Sequence, residues 1–244
     1  MQNREQHRPA AQVRAKARHA IEASWQSQAN LSFFLVLLVL IAFVLPVLGF
    51  GREHLQLYAG AAYGLLLISG VALAWGQPWL MAIAGAIGAC SVVLRWINLE
   101  SHSTAHQLWA DGSSIAALLA IICILLSQVF RPGRVGYHRI QGAIAVYLLF
   151  GAAYAHAYHI VGLLQPGSFH VGDTPMADVS DWIYYSFTTL TTVGYGDITA
   201  TRPTARILSV GEALTGQLYL AVLIARLVAM EVIAWQESKS NNVS

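Results

Sequence analysis

The chain has 244 residues, of which 56% are hydrophobic and 11% are charged, and its formal net charge is +2. Soluble domains carry about 25% charged residues, so this composition excludes an ordinary soluble protein. The small net charge leaves no basic surface of the kind that binds nucleic acid. Cys90 and Cys123 both lie in apolar segments, which favours embedded thiols over a disulfide.

Six apolar segments predict six membrane-spanning helices, because a stretch of about 18 or more such residues can cross a bilayer. The segments cover residues 31–50, 55–75, 79–97, 112–130, 140–163 and 205–235. Polar or turn-forming residues separate them, including a polar loop at 98–111. The first 30 residues are polar and basic. They are either an amphipathic helix on the membrane surface or a solvated tail, without a cleavable signal peptide.

Basic residues in the short loops predict the orientation of these spans. With six spans, both termini and the loop after span four lie on one side of the membrane. This side carries Arg4, Arg8, Arg14, Lys16, Arg18, Arg131, Arg134 and Arg139. We therefore expect it to be cytoplasmic, so that the stretch 164–204 faces outward.

The stretch 164–204 is too long for a plain connection between spans five and six. Residues 165–180 are turn-rich, and residues 181–191 form a short amphipathic run that Ser180 or Asp181 can cap. At ~1.5 Å per residue this run covers about half a bilayer. We predict a helix that enters the membrane and stops. Such re-entrant backbone is tolerated only where it is buried in protein or lines a water-filled path.

The sequence that follows this run, residues 191–197, reads TTVGYGD. A dehydrated cation needs oxygen ligands in place of its water, and backbone carbonyls supply them when they all point to one axis. That arrangement requires alternating backbone conformations, and Gly194 and Gly196 can adopt positive φ at little cost. Thr192 adds a hydroxyl at one end of the loop.

Residues 181–228 resemble the pore domain of potassium channels, in which a pore helix, a TVGYG filter and an inner helix follow one another. The resemblance implies an all-α membrane protein with six transmembrane helices, a re-entrant pore helix and filter loop between helices five and six, and a tetrameric pore. It divides the chain into a cytoplasmic segment (1–30), a four-helix domain in the voltage-sensor position (31–131), a pore domain (132–235) and a short cytoplasmic tail (236–244).

The resemblance also assigns roles to individual residues. Thr192, Val193, Gly194, Tyr195 and Gly196 would coordinate K⁺, with the metal ion itself held at Thr192 to Tyr195. Support for the filter would come from Asp197, Tyr185, Thr188 and Thr191, with Tyr185 bonded to Asp197. Gln217 and Leu220 would face the cavity, and Gly216 would be the hinge of the inner helix, with close helix packing as the alternative. Thr188 departs from some bacterial members, which have a glutamate there.

The implied function is passive, potassium-selective conduction through a homotetramer in the cell membrane. We expect K⁺ as the permeant ion and membrane lipid as the surroundings. We expect no cofactor, no catalytic residues and no nucleic acid. The alternative is a weakly selective cation channel of the same architecture, although the intact VGYG argues against it.

Gating is less evident from the residues. Span four contains no Arg or Lys, whereas a voltage sensor needs several. Glu212 is an ionisable residue inside the last span. It is either an acid behind the pore helix that tunes the filter or senses pH, or a paired or protonated structural carboxyl. His156 and His159 in span five are interpreted as hydrogen-bonded or solvated rather than as metal ligands, with a proton-sensing role left open.

Overall fold

The computed structural model describes residues 30–44, 63–70, 82, 85–94, 103–131, 136–172, 174–175 and 179–241. Its helices are α1 (Asn30–Val44, ending in the π-helical turn Leu40–Val44), α2 (63–70), α3 (Gly85–Leu94), α4 (Thr104–Val129), α5 (Tyr137–Leu164), α6 (Val179–Leu190) and α7 (Pro203–Asn241). Its strands are β1 (Phe169–Val171), β2 (Thr174–Pro175) and β3 (Ile198–Ala200).

Three helices in the described part of the chain are long and apolar enough to cross a membrane. They comprise Thr104–Val129, Tyr137–Leu164 and Pro203–Ile233, and they correspond to predicted spans four, five and six. The first three predicted spans lie partly outside the described residues, as does most of the N-terminal segment 1–30. The count of six spans therefore stays a prediction.

Two helices extend beyond their predicted limits. The prediction of a loop at 98–111 was wrong from residue 104 onward, because α4 begins at Thr104. The polar residue that suggested a loop, Asp111, is 5% exposed, and histidines of α5 bond its carboxylate. Since α5 supplies these partners, a polar first part of α4 can be helical. At the other end, α7 continues to Asn241 through most of the predicted tail.

Helices α4 and α5 form the main core and run antiparallel. Asp111, early in α4, meets His159, late in α5, whereas Val129, at the end of α4, shares a cluster with Ala143 near the start of α5. Between these ends the two helices bury Leu118, Ile121, Leu125, Val146 and Leu149, together with Phe34 and Leu38 of α1. This core fixes α5, against which α6 and α7 pack.

A small sheet of order β2-β1-β3 connects α5 with α7. All its pairs are antiparallel, and Phe169 is opposite Ala200 while Val171 is opposite Ile198. The expectation of an all-α chain is therefore corrected by three short strands. Because β1 precedes α6 and β3 follows the TTVGYGD loop, the sheet joins both ends of that segment. Pro203 then begins α7, where the missing amide hydrogen of proline costs nothing.

Candidate functional site in a short helix and the loop that follows it

Helix α6 has 12 residues, Val179–Leu190, against the predicted 181–191. At ~1.5 Å per residue it is about 18 Å long, which is little more than half the ~30 Å of a bilayer core. Ser180 and Asp181 lie inside its first turn rather than before it, and the acidic side chain of Asp181 suits the positive end of the helix dipole. The prediction of a helix too short to span is confirmed.

The loop after α6 has positive φ at every second residue. The values are 59° at Thr192, 53° at Gly194 and 81° at Gly196. We predicted positive φ for the two glycines, and this is confirmed, but not for Thr192. A threonine in this region is uncommon because its Cβ crowds the backbone. Alternating backbone conformations of this kind are what a row of carbonyls directed at one axis requires.

Backbone hydrogen bonds hold the loop against the end of α6. Thr192 N–H donates to the carbonyl of Thr189 at 2.9 Å, and Gly194 N–H donates to that of Thr188 at 3.2 Å. The Thr191 hydroxyl donates to the Phe187 carbonyl at 2.6 Å. The supporting role of Thr188 and Thr191 stays a prediction.

The side chains of the loop are open in the single chain. Every residue from 191 to 197 is exposed, including Val193 at 53% and Tyr195 at 73%. The described structure thus places apolar side chains of the loop at an uncovered surface.

Asp197 is bonded by Tyr184, not by Tyr185 as predicted. The Tyr184 hydroxyl donates to Asp197 Oδ2 at 2.9 Å, and its ring stacks on Tyr195 with centroids 6.4 Å apart. Tyr185 instead shares a 2.8 Å hydrogen bond with Ser209 of α7. Successive helical residues point about 100° apart, so only one of the two tyrosines can face the filter.

Of the residues predicted from α7, Gln217 contacts the loop and Gly216 contacts the end of α6. Gln217 Nε2 donates to the Thr192 hydroxyl at 3.4 Å, and Leu220 is 41% exposed. Gly216 meets the end of α6 so closely that a Cβ there would lie 2.2 Å from the Leu190 carbonyl oxygen. This contact requires a glycine by close packing, the alternative to the hinge. The hinge itself stays a prediction.

Glu212, one turn before Gly216, is wholly buried. Its Oε1 lies 2.5 Å from the Ser186 hydroxyl of α6, and the Tyr158 hydroxyl of α5 donates to its Oε2. Ser186 Oγ is also 2.6 Å from the Gly151 carbonyl oxygen of α5. The acid therefore lies behind α6, as one of its two interpretations proposed, and joins α5, α6 and α7.

Sequence reasoning missed the partners of both buried acids. It did not select Tyr158, Ser186 or Ser209, and it did not connect Asp111 with the two histidines. Asp111 bonds His156 Nδ1 at 2.9 Å and His159 Nδ1 at 2.6 Å, which confirms the interpretation of these histidines as hydrogen-bonded. The three-residue spacing of the histidines was the available signal, because it places both on one face of α5. Among the described residues no group of side chains forms a metal site.

Comparisons with known proteins agree on this part of the chain. A family described as "Ion channel" matches residues 142–232. The chain is 36% identical over 64 residues to two pore potassium channel c of Oryza sativa subsp. japonica, a match that covers 26% of this chain and 14% of that protein. No solved structure matches the chain significantly. The family match over residues 142–232 and the similarity to a potassium channel support a relation to the potassium channel family for this part of the chain.

Proposed function

We propose that this chain forms a potassium-selective channel, which conducts K⁺ passively across the cell membrane through a homotetrameric pore. K⁺ is the permeant ion, and no cofactor or catalytic residue takes part. The filter consists of residues 192–196, with the ion coordinated at Thr192 to Tyr195. The chain crosses the membrane several times, with both termini in the cytoplasm.

The observation that carries this proposal is the alternation of positive φ at Thr192, Gly194 and Gly196. With successive carbonyls turned to one side, one loop offers a column of oxygens, and four loops around an axis would enclose an ion with eight. Such carbonyls replace the hydration shell of K⁺. The family match and the potassium-channel relative support the same reading.

Exposure of the loop supports assembly from several copies. Irregular backbone at membrane depth is tolerated only when it is buried in protein or lines a water-filled cavity. One chain leaves residues 191–197 exposed, and it leaves apolar side chains of α7 exposed, including Leu214, Leu218 and Val222. A tetramer would cover the apolar side chains of the loop while its carbonyls face the pore. One filter loop per chain then requires four chains per pore.

Voltage gating by α4 has no support in its residues. Helix α4 carries no Arg or Lys, and its one charged residue is Asp111, whereas gating charges move several basic residues through the field. Opening would instead follow from movement of α7 near Gly216 or from the filter itself, under a regulator that we do not assign.

A weakly selective cation channel of the same architecture is the second candidate. It would share α6, α7 and the loop with the selective channel. It would differ in the rigidity of the loop, and so in how precisely the carbonyl oxygens are positioned around the ion. The intact VGYG sequence and the bonds from the loop to Thr188 and Thr189 favour the selective form.

Ion flux from liposomes that contain the purified full chain tests the proposal. We expect K⁺ flux far above Na⁺ flux and loss of this preference in Gly194→Ala, because alanine resists φ of 53°. Gly167→Ala is the matched control, since Gly167 has φ of 79° and its Cβ would meet only a side-chain atom at 3.9 Å, but it lies between α5 and β1, outside the filter. Equal K⁺ and Na⁺ flux through the unaltered chain would contradict potassium selectivity and leave the second candidate.

A further inference from the structure

One face of α7 carries the contacts with the pore helix α6. Ser209, Glu212 and Gly216 are spaced three and four residues apart, which places them on one side of a helix. Ser209 bonds Tyr185, Glu212 bonds Ser186, and Gly216 touches the Leu190 carbonyl. Glu212 is the middle contact, and it also reaches α5 through Tyr158.

The hydrogens around Glu212 can be counted. Ser186 has one hydroxyl hydrogen, but its oxygen lies within bonding distance of two oxygens, Gly151 O at 2.6 Å and Glu212 Oε1 at 2.5 Å. If Glu212 were ionised, one of these contacts would be a close approach of two oxygens without a hydrogen between them. If Oε1 carries a proton, it donates to Ser186, and Ser186 donates to Gly151. Tyr158 donates to Oε2, so every contact then has one hydrogen.

The surroundings of Glu212 point in the same direction. The titratable groups that face it in the described structure are tyrosines, Tyr147 and Tyr158 of α5 and Tyr185 of α6. Its described hydrogen-bond partners are hydroxyl groups, and no described cation pairs with it. An ionised carboxylate buried without a cation is costly in protein and in a membrane.

We propose that Glu212 is held as the neutral carboxylic acid, and that its proton links α7 to Ser186 of α6. Glu212 is thereby a positioning residue that keeps the filter in its conducting shape. The positioning part of this inference rests on the proposed function, whereas the protonation part does not.

Infrared difference spectra of the full-length protein test the protonation. The spectrum of the unaltered chain minus that of Glu212→Gln, at neutral pH, should contain the carbonyl stretch of a protonated carboxyl. Ser186→Ala should shift the frequency of this band, because it removes the group that accepts the proton. A carboxylate band in place of the carbonyl stretch would overturn the proposal, whether or not the protein conducts ions.

Single-channel recordings test the positioning. Glu212→Gln should conduct like the unaltered chain, because an amide donates to Ser186 and accepts from Tyr158 in the same pattern. Ser186→Ala and Tyr158→Phe each remove one hydroxyl and should lower the ratio of conducting to silent channels about fivefold or more. Tyr154→Phe is the matched control, because the 3.1 Å bond that it removes joins α5 to Thr215 of α7 and involves no residue of α6, while the ring remains in place.

The outcomes separate the two claims. Equal losses in Ser186→Ala and Tyr154→Phe would overturn the positioning role while potassium conduction stands. A strong loss in Glu212→Gln would overturn the neutral acid. Absence of potassium selectivity in the unaltered chain would overturn the proposed function and the positioning role together, but the infrared result would still decide the protonation.

Discussion

The two buried acids of the described structure, Asp111 in α4 and Glu212 in α7, are bonded by different kinds of partner. Each oxygen of Asp111 takes an imidazole nitrogen, and the side chains of His156 and His159 are 20% and 30% exposed. Glu212 takes hydroxyl groups and is wholly buried. Imidazoles can supply positive charge and hydroxyls cannot. Asp111 therefore has partners that can balance a negative charge, whereas the described partners of Glu212 favour a neutral acid.

The two acids also join different parts of the molecule. Asp111 connects α4 to α5, and its partner His159 lies against Trp182 of α6 with ring centroids 5.6 Å apart. Glu212 connects α5, α6 and α7 with one another. Substitutions at Asp111 should thus weaken the packing of α4 on α5. Substitutions at Glu212 should instead change the position of α6 and of the proposed filter that follows it.

Glycines near the two acids give the largest expected contrast. Gly216→Ala places a Cβ 2.2 Å from a backbone oxygen, so α6 or α7 must shift. We expect a loss of about 3 kcal/mol in the free energy of unfolding. Gly112→Ala, beside Asp111, meets nothing within 4 Å and should be neutral or stabilising by up to about 1 kcal/mol. Thermal denaturation of the two purified variants measures this, and equal stability would contradict the close packing of α6 on α7.

Amide substitutions separate the two acids directly. Asp111→Asn removes the charge that two imidazoles share and should cost about 2 kcal/mol in the free energy of unfolding. Glu212→Gln should cost almost nothing, because the amide reproduces the hydrogen bonds of a neutral acid. Denaturation of both variants under one condition compares them. If Glu212→Gln lowered the free energy of unfolding more than Asp111→Asn, the inference of a charged Asp111 and a neutral Glu212 would be contradicted.

A third acid, Asp197, extends the comparison to an exposed site and gives the smallest expected change in stability. Tyr184→Phe removes its exposed hydrogen bond and should leave the unfolding free energy almost unchanged while shortening channel openings. Tyr185→Phe removes the buried bond to Ser209 and should cost about 1 kcal/mol. Thermal denaturation and single-channel recording of both variants test whether Tyr184, rather than Tyr185, bonds Asp197. Shorter openings in Tyr185→Phe alone would favour the original pairing with Asp197.

Local sequence was enough to predict the features that depend on neighbouring residues. The length of α6 followed from an amphipathic run between turn residues and TTVGYGD. Positive φ at Gly194 and Gly196 followed from the conformational freedom of glycine. The positive φ of Thr192 did not follow, because it depends on bonds to Thr189 and to Gln217 of another helix.

Features that depend on distant residues were missed or misassigned. Strands of two or three residues carry little pattern, and β1 pairs with β3 across the whole α6 and filter segment. We predicted that Tyr185 bonds Asp197, whereas Tyr184 does so. Which of the two faces Asp197 depends on the rotation of α6 about its axis, and contacts with α5 and α7 determine that rotation. The early start of α4 depends on histidines 45 and 48 residues from Asp111. Burial of that acid could not be inferred without its partners.

The reversal potential of single channels tests the central claim most directly. The purified full chain is placed in a planar bilayer with K⁺ on one side and Na⁺ on the other, and the voltage of zero current is measured. The account predicts a strongly displaced reversal potential, on the side that marks K⁺ as the permeant ion. A reversal potential near zero, with stable openings, would contradict it.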